Sequence, residues 1–381
     1  MIYLDNSATT RPLEEVVDSF AKASRLYFGN PSSIHKAGLQ ANQLLERARE
    51  QIASILGVLP AEIVFTSGGT EGNNTAIKGI AYTYRSRGKH IITTSIEHPS
   101  VTNVCEQLKK DGFEITYLPV NSSGRVRVED VKNALRDDTI LVSVMHVNNE
   151  VGTIQPIEEI GQLLKNYPKV FFHVDNVQGV GKVALDYHRS HIDLATISAH
   201  KFHGLKGTGA LFIRQGIRFD PLLSGGGQEE NIRSGTENTP GIVAMAKALR
   251  LTTENFAEKV NHMKAIQQYF FTELSMIPGV KLNTPQKNCA PHIVNFSLPG
   301  FKTEVFISAL SERGVYVSTT SACSVQRNEP SKTLLAMGCG DDIASTSVRI
   351  SLSFENTMDE AKEAMKAIKE CINELKSVMR G

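Results

Sequence analysis

Through the first two hundred residues, short runs of consecutive apolar positions alternate with longer stretches in which apolar residues return every three to four positions. A run that is apolar on both faces predicts a strand buried on both sides, and the 3.6-residue return predicts a helix packed over it. Strands are expected at 2–6, 63–66, 90–94, 114–118, 140–145, 170–174 and 194–198. Helices are expected from 13, over 35–56, 71–84 and about 100–110, and again over 128–135 and 157–164. In the helix 35–56, Leu44, Leu45, Ala48, Ile52 and Ile55 form the apolar stripe, while Glu46, Arg47, Arg49 and Glu50 form its solvated face. The alternation implies an α/β architecture with a mostly parallel sheet covered on both sides.

The pattern changes after Gly225-Gly226-Gly227-Gln228 and Arg233-Ser234-Gly235-Thr236. Two helices, 240–254 and 257–274, follow in succession, and their junction is the expected domain boundary. Beyond it, strands at 292–296, 315–318 and 347–352 and helices at 302–313 and 358–379 suggest a smaller α+β domain. The expected division is 13–256 for the large domain, with 1–12 and 257–381 forming the small one. Within the latter, about 320–332 is a polar loop expected to be mobile; it carries Ser321-Ala322-Cys323-Ser324.

Composition narrows the function classes. Across 381 residues, 41 basic against 40 acidic side chains leave almost no net charge, so no general nucleic-acid or membrane surface is expected. The five cysteines (105, 289, 323, 339 and 371) form neither a CxxC metal pair nor a disulfide framework, which points to a reducing compartment. Met1-Ile2-Tyr3-Leu4-Asp5 lacks the basic start of a signal peptide, and no apolar run is long enough to span a bilayer. A cytoplasmic location and no metal are expected.

Candidate chemistry collects at the carboxyl ends of the predicted strands, where ligands sit in open α/β sheets. Lys201, in Ser198-Ala199-His200-Lys201, follows the apolar run 193–197. It is either a lysine at a strand exit or an amine able to form a Schiff base with an aldehyde. Ser67-Gly68-Gly69-Thr70 opens a helix; such a turn can be only a turn, or can cradle a phosphate on free N–H groups. It matches neither a Walker A loop nor GxGxxG. His98 is a core histidine or a ring that stacks on a planar cofactor. Asp175, with Gln178 three residues on, is a carboxylate whose burial is costly unless paired, and a pyridinium nitrogen is one such partner.

Together, a lysine, an aspartate, a stacking ring and a phosphate cup are the parts that hold pyridoxal 5′-phosphate. With Tyr3-Leu4-Asp5-Asn6-Ser7-Ala8-Thr9-Thr10, Gly29-Asn30-Pro31-Ser32-Ser33, Thr66-Ser67-Gly68-Gly69-Thr70-Glu71, Asn148-Asn149-Glu150, His173-Val174-Asp175, Arg233-Ser234-Gly235-Thr236 and Ser321-Ala322-Cys323, the chain resembles the NifS/IscS-like cysteine desulfurases. These lie within the class-V group of fold-type I pyridoxal-phosphate enzymes, and the resemblance covers essentially the whole chain.

It implies a large domain built on a mostly parallel seven-stranded sheet, plus the smaller α+β domain. It also implies that Lys201 holds the internal aldimine and moves protons, and that Gly69, Thr70, Ser198 and His200 cradle the phosphate, with Thr236 reaching it from the partner subunit of a homodimer. His98 would stack on the ring, Asp175 would pair with its nitrogen and Gln178 would contact its phenolic oxygen. Asn149 and Arg349 would hold the substrate carboxylate, unless Arg349 is a structural ion-pair residue. Cys323 would take sulfur from L-cysteine as a persulfide, leaving L-alanine. The sulfur would pass to an acceptor protein: an iron–sulfur scaffold, a tRNA-thiolating enzyme or another sulfurtransferase, with no direct contact to nucleic acid.

An aminotransferase, a selenocysteine lyase and a catalytically idle binding protein are the alternatives. Two departures from the family pattern stand out. Thr320 precedes Ser321 where relatives usually carry glycine, so a stiffer hinge is expected. The sequence ends at Gly381 without the longer tail of many relatives, so docking of an iron–sulfur scaffold is not implied.

Overall fold

The computed structural model describes residues 1–319 and 329–380. In chain order its elements are β1 (Ile2–Tyr3), α1 (Glu14–Leu26), α2 (Lys36–Leu56), β2 (Ile63–Thr66), α3 (Gly69–Tyr84), β3 (His90–Thr94), α4 (Pro99–Lys110), β4 (Glu114–Leu118), α5 (Val128–Ala134), β5 (Thr139–Met145), α6 (Ile157–Leu164), β6 (Phe171–Asp175), β7 (Leu194–Ser198) and β8 (Gly209–Ile213). There follow α7 (Thr239–Thr253), α8 (Phe256–Ser275), β9 (Lys281–Leu282), β10 (Ile293–Ser297), α9 (Thr303–Glu312), β11 (Val315–Tyr316), β12 (Ser318–Thr319), α10 (Lys332–Ala336), α11 (Asp341–Ala344), β13 (Ser347–Ser351) and α12 (Met358–Arg380).

The large sheet has seven strands in the order β2-β8-β7-β6-β5-β3-β4. β4, β3, β5, β6 and β7 pair in parallel, while β8 runs against both β7 and β2. Strands β2, β3, β5, β7 and β8 are buried at every residue, and β6 at every residue after Phe171, as a sheet covered on both faces requires. Apolar cores lie on its two sides: α2 and α7 contribute to one, and α3 and α4 to another.

The sequence pattern did not reveal β8. Its apolar core is four residues long and directly follows Gly207-Thr208-Gly209, which reads as the close of a loop. Gly209 is needed there: a Cβ on it would stand 2.7 Å from both Gly68 Cα and the Ile197 carbonyl oxygen. The predicted strand 315–318 also proves to be two. Val315–Tyr316 pairs in parallel with β1, whereas Ser318–Thr319 joins β13 in the sheet β12-β13-β10-β9.

A separate core gathers Ile2, Leu4, Phe270, Phe296, Phe306 and Ile368, from both ends of the chain. Asp5 bridges to Ser351 beside it, so the segment after β1 is drawn across toward the carboxyl edge of the large sheet. No described helix is long and apolar enough to cross a membrane.

Candidate active site

Because β2, β3, β5, β6 and β7 point the same way, the segments leaving them converge at one edge and enclose a cavity of about 280 Å³. Gly69, Thr70, Ser198 and His200 line one part of it. His98, Asp175, Gln178 and Lys201 line another, and Asn149 and Arg349 a third. Ten of the expected site residues therefore meet in one place. Thr236 does not line this cavity and is exposed. Cys323 and Thr320 lie outside the described residues.

The turn that follows β2 is built to let a helix start at the cavity. Gly68 takes φ 149°, a conformation that favours glycine, and α3 begins at Gly69. A Cβ on Gly69 would press on the Val177 side chain at 2.9 Å, and one on Gly72 would stand 2.6 Å from Thr196 Cγ2 on β7. The small residues bring the α3 amino end, with its unpaired N–H groups and positive dipole end, against β7. Ser198 and His200 stand on the facing side. Burial and the charges of Lys201, Lys206 and Lys182 push His200 down to about 4, so it is neutral near pH 7.

His98 is both a cavity residue and the N-cap of α4, with Pro99 as the first helical residue. Its Nδ1 accepts from the Ser100 N–H at 3.1 Å and lies 2.8 Å from Ser100 Oγ. Asn73 Nδ2 donates to that hydroxyl oxygen at 2.8 Å and to Asp175 Oδ2 at 2.8 Å, so the Ser100 proton points to the imidazole. With Nδ1 an acceptor, the ring proton sits on Nε2. Burial, followed by Lys201 and opposed by Asp175, holds His98 below its usual range.

Asp175 ends β6 and is 5% exposed. Its partners are neutral: Asn73, and the Val177 N–H at 3.0 Å to Oδ1. Among the described residues no cationic side chain forms an ion pair with it. A buried carboxylate held only by neutral donors and facing a cavity is suited to a cationic ring nitrogen. Behind it, burial pushes Glu97 up to about 8, with Asp175 adding to the effect.

Lys201 completes a single 3-10 turn after β7. Its Nζ donates to the Ser7 and Ala8 carbonyl oxygens at 2.6 and 2.8 Å, and Gln178 Nε2 donates to the same Ser7 oxygen at 2.9 Å. Ser7 Oγ and Asn73 Oδ1, both on cavity-lining residues, are buried and have no hydrogen-bond partner among the described residues. Arg349, on β13, is 3% exposed. Its guanidinium donates to the Asn149 carbonyl at 2.8 Å, to Ser318 Oγ at 2.9 Å and to Asp5 at 3.0 Å in an ion pair.

Sequence reasoning missed four contributors. Asn73 was hidden inside a helix, and its signal was only a polar residue on the buried side of α3. Ser100 lay in a capping sequence. Ser7 and Ala8 act through backbone carbonyls, which no residue type advertises.

Of the other cysteines, Cys105 and Cys371 are buried, and burial pushes Cys105 up to about 12. Cys289 and Cys339 are half-buried, with thiols also raised by burial. None of these four lines the cavity. Among the described residues no cluster of three or more His, Cys, Asp or Glu could hold a metal ion.

An amine facing a buried carboxylate across a helix amino end, at the carboxyl edge of a mostly parallel sheet, defines a fold and a site shared by a large enzyme class. Residues 2–363 match the family described as aminotransferase class-V, and the chain belongs to that family, in its NifS/IscS-like branch. It is 48% identical over 372 residues to a NifS/IcsS protein homolog of Lactobacillus delbrueckii subsp. bulgaricus, covering 97% of each chain. It is 45% identical over 381 residues to the putative cysteine desulfurase IscS 1 of Bacillus subtilis, covering 98% of this chain and 99% of that one. A solved NifS-like protein superposes with a TM-score of 0.92 at 39% identity, covering 98% and 99% of the two chains.

Proposed function

We propose that this chain is a pyridoxal-phosphate-dependent cysteine desulfurase that converts L-cysteine to L-alanine and passes the sulfur, as a persulfide on Cys323, to an acceptor protein. The observation that carries this is Asp175: a buried carboxylate that has no cationic partner among the described residues, facing the same cavity as the Lys201 amine. When bound, the cofactor supplies an aldehyde that captures an amine and a conjugated ring that absorbs electrons released beside it.

The rest falls to the protein. The α3 amino end, Thr70, Ser198 and neutral His200 receive the phosphate. Asp175, oriented by Asn73, keeps a ring nitrogen protonated, and Gln178 reaches the ring's phenolic oxygen. His98 presents its flat face with its proton held on Nε2. Asn149 and Arg349 orient the substrate carboxylate, and Lys201 moves protons at the substrate carbon. The Cys323 thiolate attacks the substrate sulfur: an S–S bond forms as the C–S bond breaks, and the carbon takes up a proton to become alanine's methyl group. That none of the four described cysteines lines the cavity supports giving this role to Cys323.

A homodimer with Thr236 reaching the partner's phosphate cradle belongs to the same reading. It is supported by Thr236 standing exposed beyond its own cavity, and by Ile34 and Phe28 at 93% and 81% exposure.

The test is chemical. Purified protein should absorb in the near visible, borohydride should abolish that band, and peptide mapping should place the reduced adduct on Lys201. Lys201→Ala should lose the covalent link, and Cys323→Ala should keep it while losing both alanine production and protein-bound persulfide. An adduct on another lysine, or persulfide on Cys339 with Cys323 bare, would overturn the assignment.

A further inference from the structure

Lys182 is 5% exposed and takes no part in the chemistry above. It comes directly after Gly181, which turns the chain at φ 73°. Its Nζ donates to the Lys201 carbonyl oxygen at 2.6 Å. The turn carrying Lys201 is pinned at three successive carbonyls. The His200 oxygen accepts from Thr10 N and Oγ1 at 2.8 and 3.0 Å, the Lys201 oxygen from Lys182, and the Phe202 oxygen from Thr252 Oγ1 at 3.0 Å.

Two of those pins are neutral, and Thr252 shows that a hydroxyl suffices to satisfy such an oxygen. A buried ammonium is the costlier choice. Among the described residues no carboxylate pairs with Lys182. The titratable groups that feel it are Lys201 and the imidazoles of His200, His203 and His292, each held below its usual range and therefore neutral near pH 7. Burial first, and the like charge of Lys201 second, bring Lys182 down to about 7. Repulsion between two amines is reciprocal, so whatever Lys201 does to Lys182 is returned.

We propose that Lys182 is a positioning residue for Lys201: clamped on the backbone oxygen of the very residue whose amine reacts, it fixes the turn and, whenever it is in its ammonium form, places a positive charge behind that amine, so that Lys201 gives up its proton more readily. This supplies what carbonyl capture needs, a lysine that is deprotonated where it meets an aldehyde. The inference rests on the assignment of Lys201 as the cofactor-bearing lysine, and the experiment separates the two.

Wild type, Lys182→Gln, Lys182→Met and Lys182→Arg are loaded with pyridoxal 5′-phosphate, reduced and mapped, and the near-visible band of the unreduced proteins is titrated with pH. Gln keeps a donor without charge, Met keeps neither, and Arg keeps the charge. The expected result is an adduct on Lys201 in all four, with the spectral midpoint raised by about one pH unit in Gln and Met and near wild type in Arg. In parallel, cofactor-free Gln and Met proteins should capture pyridoxal 5′-phosphate about tenfold more slowly at pH 7, the same shift expressed as a rate. Midpoints and capture rates equal to wild type in Gln or Met, with Lys201 still labelled, overturn the role of Lys182 and leave the cofactor assignment standing. No adduct on Lys201 in wild type overturns both.

Discussion

Arg349 shows how much one side chain can be asked to do. Nearly buried, it grips the Asn149 carbonyl, Ser318 and Asp5 at once while lining the cavity. A guanidinium can serve fixed partners and still present a planar fork to a carboxylate; an ammonium is a point charge with three donors and no fork. Arg349→Lys should therefore raise KM for L-cysteine roughly tenfold or more while changing kcat less. Steady-state kinetics on a folded variant check this, and an unchanged KM would assign Arg349 to the Asp5 ion pair alone. The same residue-scale logic explains His98, whose neutral state is set first by burial and whose tautomer is set by Ser100 and Asn73.

Among the elements, α3 is the one whose position the site depends on most. It can bring its amino end to the cavity only because Gly72 lets it lie against Thr196 of β7. Gly72→Ala forces a methyl into that 2.6 Å approach. Overpacking of this kind costs about 1–3 kcal/mol, and it lifts the helix from the sheet edge. The variant should unfold at lower urea and release pyridoxal 5′-phosphate faster than wild type. Normal cofactor retention with lowered stability would mean that the α3 amino end does not cradle the phosphate.

At the scale of the whole molecule, two expectations concern assembly and acid. If Thr236 completes the partner's site, Thr236→Ala and Lys201→Ala chains, each weak or inactive alone, form mixed dimers in which one site is intact. Free exchange should then restore about a quarter of wild-type activity by the two-fold symmetry of the pair. No recovery after verified exchange would place Thr236 outside the site.

Acid sensitivity follows from buried neutral imidazoles. Burial pushes His146 and His203 down to about 4 and His173 to about 3, against about 6.5 in an unfolded chain. Below pH 6.5 the unfolded state binds protons that the folded state refuses. The stability these groups give is complete above 6.5 and is lost as pH falls through the window toward 4. Each contributes up to about 1.4 kcal/mol per pH unit there. Glu97, raised by burial to about 8, works in the opposite sense as pH falls from 8 toward its unfolded value. Urea midpoints should drop between pH 7 and pH 5, and His146→Gln should make that drop shallower. An equal drop in the variant would remove His146 from the account.

By itself the sequence determined the alternation of buried strands and covering helices. It also determined the chemical residues that follow the strands: Ser67 to Thr70, His98, Asp175 and Lys201. Both are local properties, since a buried strand must be apolar on both faces and its end must carry whatever meets a ligand. Tertiary structure alone decided which ends coincide. Strand order and the reversed β8 depend on pairings between distant residues, and a four-residue apolar run after Gly209 carries too little periodicity to announce them. The split at Val317 was hidden for a related reason, because its two halves alternate correctly while pairing with different sheets. The Asn73–Asp175 contact joins residues 102 apart, and the grip of Ser7 and Ala8 on Lys201 is made by carbonyl oxygens that every residue possesses. Lys182 sits on Lys201 for the same reason: two residues nineteen positions apart in sequence are folded so that one lysine's amine meets the other's backbone, and no pattern of side chains along the sequence records where a backbone oxygen will be.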